Sequence, residues 1–237
     1  MKILSIDTSS KNCSVAVLED TDLIVEKHIL DEKTHSQKLM PLIDDILKSL
    51  KLELADFDLY ACSIGPGSFT GVRIGVSTIK AFCDVTLKPT IGINSLESLA
   101  YNALNTNYKK GLNLICSIID AKNDNVYFDL FQIENNEVTS VIEPSCKNIN
   151  EVIDTLKMYH SSPILFVGDG SEKYQYLLSS KFSKLTFVED KLNTQSAVSQ
   201  GIAAYNHYKN GEYGYSNDLI PLYLRKSQAE RALDGEK

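Results

Sequence analysis

No stretch of this chain approaches the roughly 18 consecutive apolar residues that a membrane-spanning helix needs. The apolar run ahead of Asp7 is also too short for the core of a signal peptide. Neither a membrane role nor secretion is expected. Cysteine is sparse and unpatterned: Cys13, Cys62, Cys83, Cys116 and Cys146 form no Cys-x-x-Cys pair. An odd, scattered set reads as reduced small hydrophobes in a cytoplasmic chain. Positive charge is in deficit, with 24 Lys and Arg against 31 Asp and Glu and a net charge of −7. Direct non-specific nucleic-acid binding relies on Lys and Arg releasing counterions from the backbone. The balance disfavours it, while leaving open a place in an RNA pathway through a basic partner.

Several catalytic templates are missing as well. The four histidines (His28, His35, His160, His207) never fall as His-x-x-x-His or His-Glu-x-x-His, so no zinc-binding helix is expected. No Gly-x-Ser-x-Gly nucleophile elbow occurs. Asp44 and Asp45 lie on the polar side of a predicted helix and read as solvated.

What is present is a pattern written twice. KILSID (2–7), CSVAVLED (13–20) and DLIVEKHIL (22–30) predict three strands in a meander, the first ending at Asp7. The spacing of Leu39, Leu42, Ile43, Ile46, Leu47 and Leu50 predicts a helix over 35–50, with Pro41 removing one backbone donor. A strand over 57–64, a glycine loop, a helix from about Gly71, a strand near 90–93 and a helix from about Ser95 follow. From residue 112 the order recurs: a strand ending at Asp120, two more strands, a helix over 148–159, then strand, Gly168 turn, helix, strand, and a last helix ending at Gly211. Two copies of a β-β-β-α-β-α-β-α unit with mixed sheets are expected, with a cleft between them. The units divide as 1–107 and 108–237, within the polar stretch NTNYKKG, and the last helix and tail are expected to pack back on the first unit. The final QAERALDGEK is charged and expected to fray.

The loop in CSIGPGSFTGVRIG raises a phosphate question. A Walker loop requires Gly-Lys-Ser/Thr after four residues, yet Gly65 is followed by Pro66, Gly67, Ser68, Phe69 and Thr70 with no lysine. The dinucleotide fingerprint fails at Thr70. Ser68 or Thr70 can cap the following helix, whose first-turn amides attract an anion. Arg73 in that turn is disfavoured by the helix dipole unless something anionic lies nearby. Gly65 to Gly71 therefore make either a tight structural turn or a remnant nucleotide site. In actin-like ATPases and sugar kinases an Asp-x-Gly-Thr hairpin wraps the phosphates. Here the turns read Asp7-Thr8-Ser9-Ser10 and Asp120-Ala121-Lys122-Asn123, and a side chain in place of the glycine obstructs close approach.

The helix after the loop carries too much apolar surface for one face. Val72, Val76, Ile79 and Cys83 form one stripe, and Ile74, Ala81 and Val85 lie opposite. Either neighbouring helices of the same unit cover it, or it belongs to a protein interface to which Gly71 and Gly75 admit a second helix.

ILSIDTSSKNCSVAV, HSQKLMPLIDDIL, SIGPGSFTGVRIGVSTIKAF, GINSLESLA, IDAKNDNVY and PLYLRKSQAE resemble the bacterial TsaB (YeaZ) family of tRNA threonylcarbamoyladenosine biosynthesis proteins. The likeness runs over nearly the whole chain and is strongest in 3–17 and 63–99. It departs at Lys122 and Asn125, where the family usually has arginine and glutamate. The resemblance implies an α/β actin-like (ASKHA, ribonuclease H-like) fold and a non-catalytic scaffold or activator subunit. Its implied partners are a TsaD-like catalytic paralogue and a TsaE-like ATPase, with tRNA reached only through the complex, and a homodimer when the chain is alone. The task implied is modification of tRNA adenosine 37. The catalytic paralogue carries Asn-His-x-x-x-His, where this chain has Asn94-Ser95-Leu96-Glu97-Ser98-Leu99. No catalytic or metal residue is expected, and no cofactor held by the chain alone, with ATP or ADP at a subunit boundary. Implied interface residues are His35, Leu39, Leu42, Ile43 and Ile46 on one helix and Val72, Val76, Ile79 and Phe82 on the next. Degenerate phosphate loops would comprise Asp7, Thr8, Ser9, Gly65, Gly67, Ser68, Thr70, Gly71 and Arg73. The alternatives are an active ATPase or sugar kinase of the same fold, favoured by the two aspartates, and a metallopeptidase.

Overall fold

A computed structural model describes residues 1–30, 35–104 and 112–226. The boundary placed at 107/108 and the QAERALDGEK tail lie outside the described residues. The first unit runs β1 (Lys2–Asp7), β2 (Asn12–Glu19), β3 (Asp22–Leu30), α1 (His35–Leu50), β4 (Leu59–Gly65), α2 (Phe69–Thr86), β5 (Thr90–Asn94) and α3 (Ser95–Leu104). The second runs β6 (Leu114–Asp120), β7 (Asn125–Glu134), β8 (Glu137–Asn148), α4 (Ile149–Leu156), β9 (Ile164–Val167), α5 (Asp169–Lys173), α6 (Gln175–Ser179), β10 (Leu185–Phe187) and α7 (Ala197–Lys209).

The sheets share one topology. The first is ordered β3-β2-β1-β4-β5 and the second β8-β7-β6-β9-β10. In each, the meander pairs antiparallel and the last two strands pair parallel. The repeat extends to backbone detail: Gly65 after β4 has φ +99° and Gly168 after β9 has φ +105°, values that a side chain disfavours. One predicted element differs. The helix expected after Gly168 is two short helices, α5 and α6, broken at Tyr174, whose φ of −103° and ψ of 16° leave the helical region.

Burial explains why the two units form one body. On one face of the first sheet, Leu4, Ile6, Val15, Val17, Tyr60 and Cys62 pack under α1 and α2. On the other, Ile3, Ala16, Leu18, Leu59 and Ile91 pack under Ala197, Ala203 and Ala204 of α7, a helix of the second unit. Reciprocally, Leu96, Leu99, Ala100 and Ala103 of α3 cover Ile115, Ile119, Tyr127 and Phe131 of the second sheet. Each unit lends its last helix to the other. The seam is polar: Asn102 donates to the Leu192 and Thr194 carbonyls (3.2 and 2.7 Å) and accepts from Ser199. Gln200, wholly buried, donates to Ser5 Oγ and the Ile6 carbonyl.

Candidate functional site

The glycine loop is packed against the chain's own first turn. Ser68 caps α2 by accepting from the Gly71 amide at 3.2 Å, and its own N–H donates to the Ser9 carbonyl at 2.7 Å. Thr8 Oγ1 donates to the Gly71 carbonyl at 2.7 Å. A β-carbon on Gly71 would lie 1.9 Å from the Thr8 carbonyl oxygen, and one on Gly67 2.3 Å from that of Ser9. Glycine is needed here because the Asp7–Ser9 hairpin occupies the space. Gly71 and Gly75 admit Thr8 rather than a second helix. Asp7 is sealed behind this contact, with no exposure. Its Oδ1 accepts from the Ser9 amide and hydroxyl, both at 2.8 Å, while Oδ2 has no partner. Burial pushes the Asp7 carboxyl up to about 6, against the opposing Ser9 hydrogen bonds.

Asp120, at the matching position of β6, has a different fate. Its carboxylate accepts from Lys173 Nζ at 2.9 Å and from Lys122 Nζ at 3.0 Å. Burial raises its pKa, but the lysine bonds outweigh that and hold it below the usual carboxylate range. A cation at either aspartate would have to break open packed backbone at Asp7 or displace two ammonium groups at Asp120. Asn94 caps α3 by accepting from the Leu96 amide, Ser95 shares a 2.6 Å hydrogen bond with Ser63, and Leu99 is buried in the second core. Among the described residues no group of three or more His, Cys, Asp or Glu could hold a metal ion. Burial pushes the Cys13 thiol up to about 11 and the Cys62 and Cys116 thiols higher still, so none of these three offers a thiolate nucleophile.

Between the units lies a cleft of about 690 Å³ whose walls include Ser9, Ser68, Asp120 and Gln195 and whose cations are Lys11, Lys122, Arg225 and Lys226. A separate cavity of about 330 Å³ gathers Glu97, Asp129, Phe131 and His207. There Glu97 and then Glu212 push His207 up to about 9, against the opposing effect of burial. Arg73 meets a neutral partner, Tyr223, where an anion was expected: its Nε donates to the phenol oxygen at 2.9 Å and the guanidinium lies over the ring at 5.5 Å. Tyr223 in turn stacks on Phe69, with centroids 4.9 Å apart. The sequence reading assigned Tyr223 no role. Arg73's unfavourable place in the helix dipole was the only signal, and it could not name a partner 150 positions away.

The interface residues need correction. His35, Leu39, Leu42, Ile43 and Ile46 on α1, and Val72, Val76, Ile79 and Phe82 on α2, are all buried inside the chain's own first core. They are the stripes that face the sheet, and they leave almost no surface for a partner. The opposite side of α2 carries the outward strip: Ile74 and Thr78 half-buried, Ser77 and Ala81 exposed, and Val85 80 % exposed. Beside it, α1 exposes Met40, Pro41 and Asp44. Apolar surface does occur on two sides of α2, but the surplus is the Ala81–Val85 side, with Ile74 half-buried against the first core.

A family model described as TsaD, tRNA N6-adenosine threonylcarbamoyltransferase, matches residues 29–233. Proteins named tRNA threonylcarbamoyladenosine biosynthesis protein TsaB align with essentially the whole chain. The Haemophilus influenzae protein is 34 % identical over 100 % of this chain and 99 % of its own. The Escherichia coli protein is 29 % identical with both chains fully covered. The solved structure of YeaZ from Pseudomonas aeruginosa superposes with a TM-score of 0.77 at 22 % identity, covering 94 % of this chain and 99 % of that one. An ROK hexokinase from Thermus thermophilus shares the fold at a TM-score of 0.54 and 10 % identity, over 89 % of this chain and all of its own. With the doubled mixed-sheet architecture, the packed glycine loop and these full-length matches in agreement, the chain belongs to the TsaB (YeaZ) family of tRNA threonylcarbamoyladenosine biosynthesis proteins.

Proposed function

We propose that this chain works in tRNA threonylcarbamoyladenosine biosynthesis as a subunit without chemistry of its own. It supports a TsaD-like catalytic partner that transfers the threonylcarbamoyl group to adenosine 37, alongside a TsaE-like ATPase. The observation that carries this reading is the closed glycine loop, in which Thr8 and Ser9 bond to Gly71 and Ser68 and Asp7 is buried behind them. The outward strip of α2, with the exposed side of α1, is the docking face for the catalytic partner, or for a second copy when that partner is absent. Its small side chains Ser77, Thr78 and Ala81 allow a close helix approach, and Ile74 and Val85 supply the apolar contact. With a net charge of −7, the chain reaches tRNA through the complex. ATP or ADP belongs at the boundary with the partner.

The test is to mix the purified chain with its TsaD-like partner, and to measure modified adenosine 37 in cells lacking this chain. A stable complex and lost modification are expected. Normal modification without the chain would refute the role. Saturable ATP hydrolysis by the isolated protein, abolished by Asp7→Ala, would restore the kinase or ATPase alternative.

A further inference from the structure

The chain continues beyond α7 as an extended strap that wraps the first unit. It passes the outer edge of β5, where Gly214 and Thr90 exchange backbone hydrogen bonds of 2.8 and 3.0 Å. It then turns under the sheet, and Leu219 enters the core beneath α1 and α2, 3 % exposed. The Leu222 amide donates to the Ile64 carbonyl at 2.7 Å. A β-carbon on Gly65 would stand 2.9 Å from the Leu222 oxygen, so strap and glycine loop touch through backbone. Tyr223 lies flat on Phe69 and takes the Arg73 hydrogen bond. One residue on, Leu224 packs with the core of the second unit, and the Arg225 guanidinium donates to the Ala121 carbonyl.

The strap thus links the loop of one unit to the turn of the other, and those two segments form opposing walls of the 690 Å³ cleft. We propose that residues 213–226 are a clasp that fixes the cleft width, with Tyr223 as the anchor on the first unit and Arg225 as the tie to the second. Only Leu224 separates these anchors, and two backbone steps reach at most about 3.3–3.6 Å each, so unbending the chain at Leu224 and Arg225 accommodates little opening. One of the anchors therefore has to release. Stacking and a single hydrogen bond are each modest in worth, so release is a local event rather than global unfolding. Access to the cleft is set by the state of the clasp, whichever partner α1 and α2 engage.

Hydrogen exchange on the full chain tests this. Tyr223→Ala and Arg225→Ala should each accelerate exchange roughly tenfold in residues 64–70 and 119–123, with β3 and β8 unchanged. Unchanged rates in both segments would overturn the clasp. So would a Tyr223→Ala variant that exchanges faster everywhere while Arg225→Ala leaves 119–123 at the wild-type rate, because the strap would then be ordinary core.

Discussion

Two substitutions five positions apart on α2 separate the core stripe from the docking strip. Val76 is 4 % exposed in the first core, whereas Ala81 is exposed. Val76→Glu forfeits roughly 1.5 kcal/mol of apolar burial. It also places a carboxyl group where nothing can pair with it, at a cost of about 1–3 kcal/mol even after it takes up a proton. The total, about 2.5–4.5 kcal/mol, is a large share of the ~5–15 kcal/mol that stabilises a typical domain. At about 2–4 °C per kcal/mol for a chain of this size, the midpoint should fall by roughly 10 °C. Ala81→Glu should change stability by no more than about 0.5 kcal/mol. In a dry helix contact the same charge costs on the order of 2–5 kcal/mol, so association with the catalytic partner should weaken roughly 30-fold or more. Thermal unfolding by circular dichroism reads the first effect and sedimentation of the mixed subunits the second. A Val76→Glu protein melting close to wild type, or an Ala81→Glu protein that associates normally, would refute the assignment of the two faces.

Gly71→Ala should cost about 3 kcal/mol, at the upper end of overpacking, because the added methyl meets a backbone carbonyl that no rotamer change can move; chemical denaturation checks it. Burial raises the Asp7 carboxyl from an ordinary value of 3.8 to about 6 in the folded chain, so the native state holds the proton more tightly. Its penalty is absent below pH 4, grows through pH 6 and persists above, on the order of 2–3 kcal/mol. Asp7→Asn should remove that decline from the stability–pH profile, and an unchanged slope would contradict the buried, half-unpartnered carboxylate. His207, raised to about 9 by Glu97 and then Glu212, contributes stability that is complete below pH 6.5 and lost as pH rises through 9. Glu97→Gln should flatten that alkaline limb in the same measurement.

The order of elements along the chain and the helix at 35–50 were legible because each element carries its own period, and period is local. The identity of α2's inward face was not. A helix with apolar residues on two sides states its amphipathicity without saying which side meets the sheet, and the brighter stripe, Val72–Val76–Ile79, proved to be the core. The absence of a glycine in Asp7-Thr8-Ser9-Ser10 marked a turn unlike the hairpin that wraps phosphates in sugar kinases. It could not announce that Thr8 and Ser9 would lean into Gly67 and Gly71, since that contact joins segments about sixty residues apart. The lysine bridge from Lys173 to Asp120 and the Phe69–Tyr223–Arg73 stack were hidden for the same reason. Nothing in the sequence of α3 shows that Leu96, Leu99, Ala100 and Ala103 will cover the second sheet while Tyr101 packs on the first.

The exchange of α3 and α7 between the sheets bears on how the molecule can be built or cut. A fragment ending near residue 104 would carry a first sheet bare on its Ile3–Leu59–Ile91 side, with the Leu96–Leu99 ridge exposed to water. The complementary fragment would have the converse wounds. Neither piece should survive alone, yet made together in one cell they should find each other, each plugging the gap the other leaves.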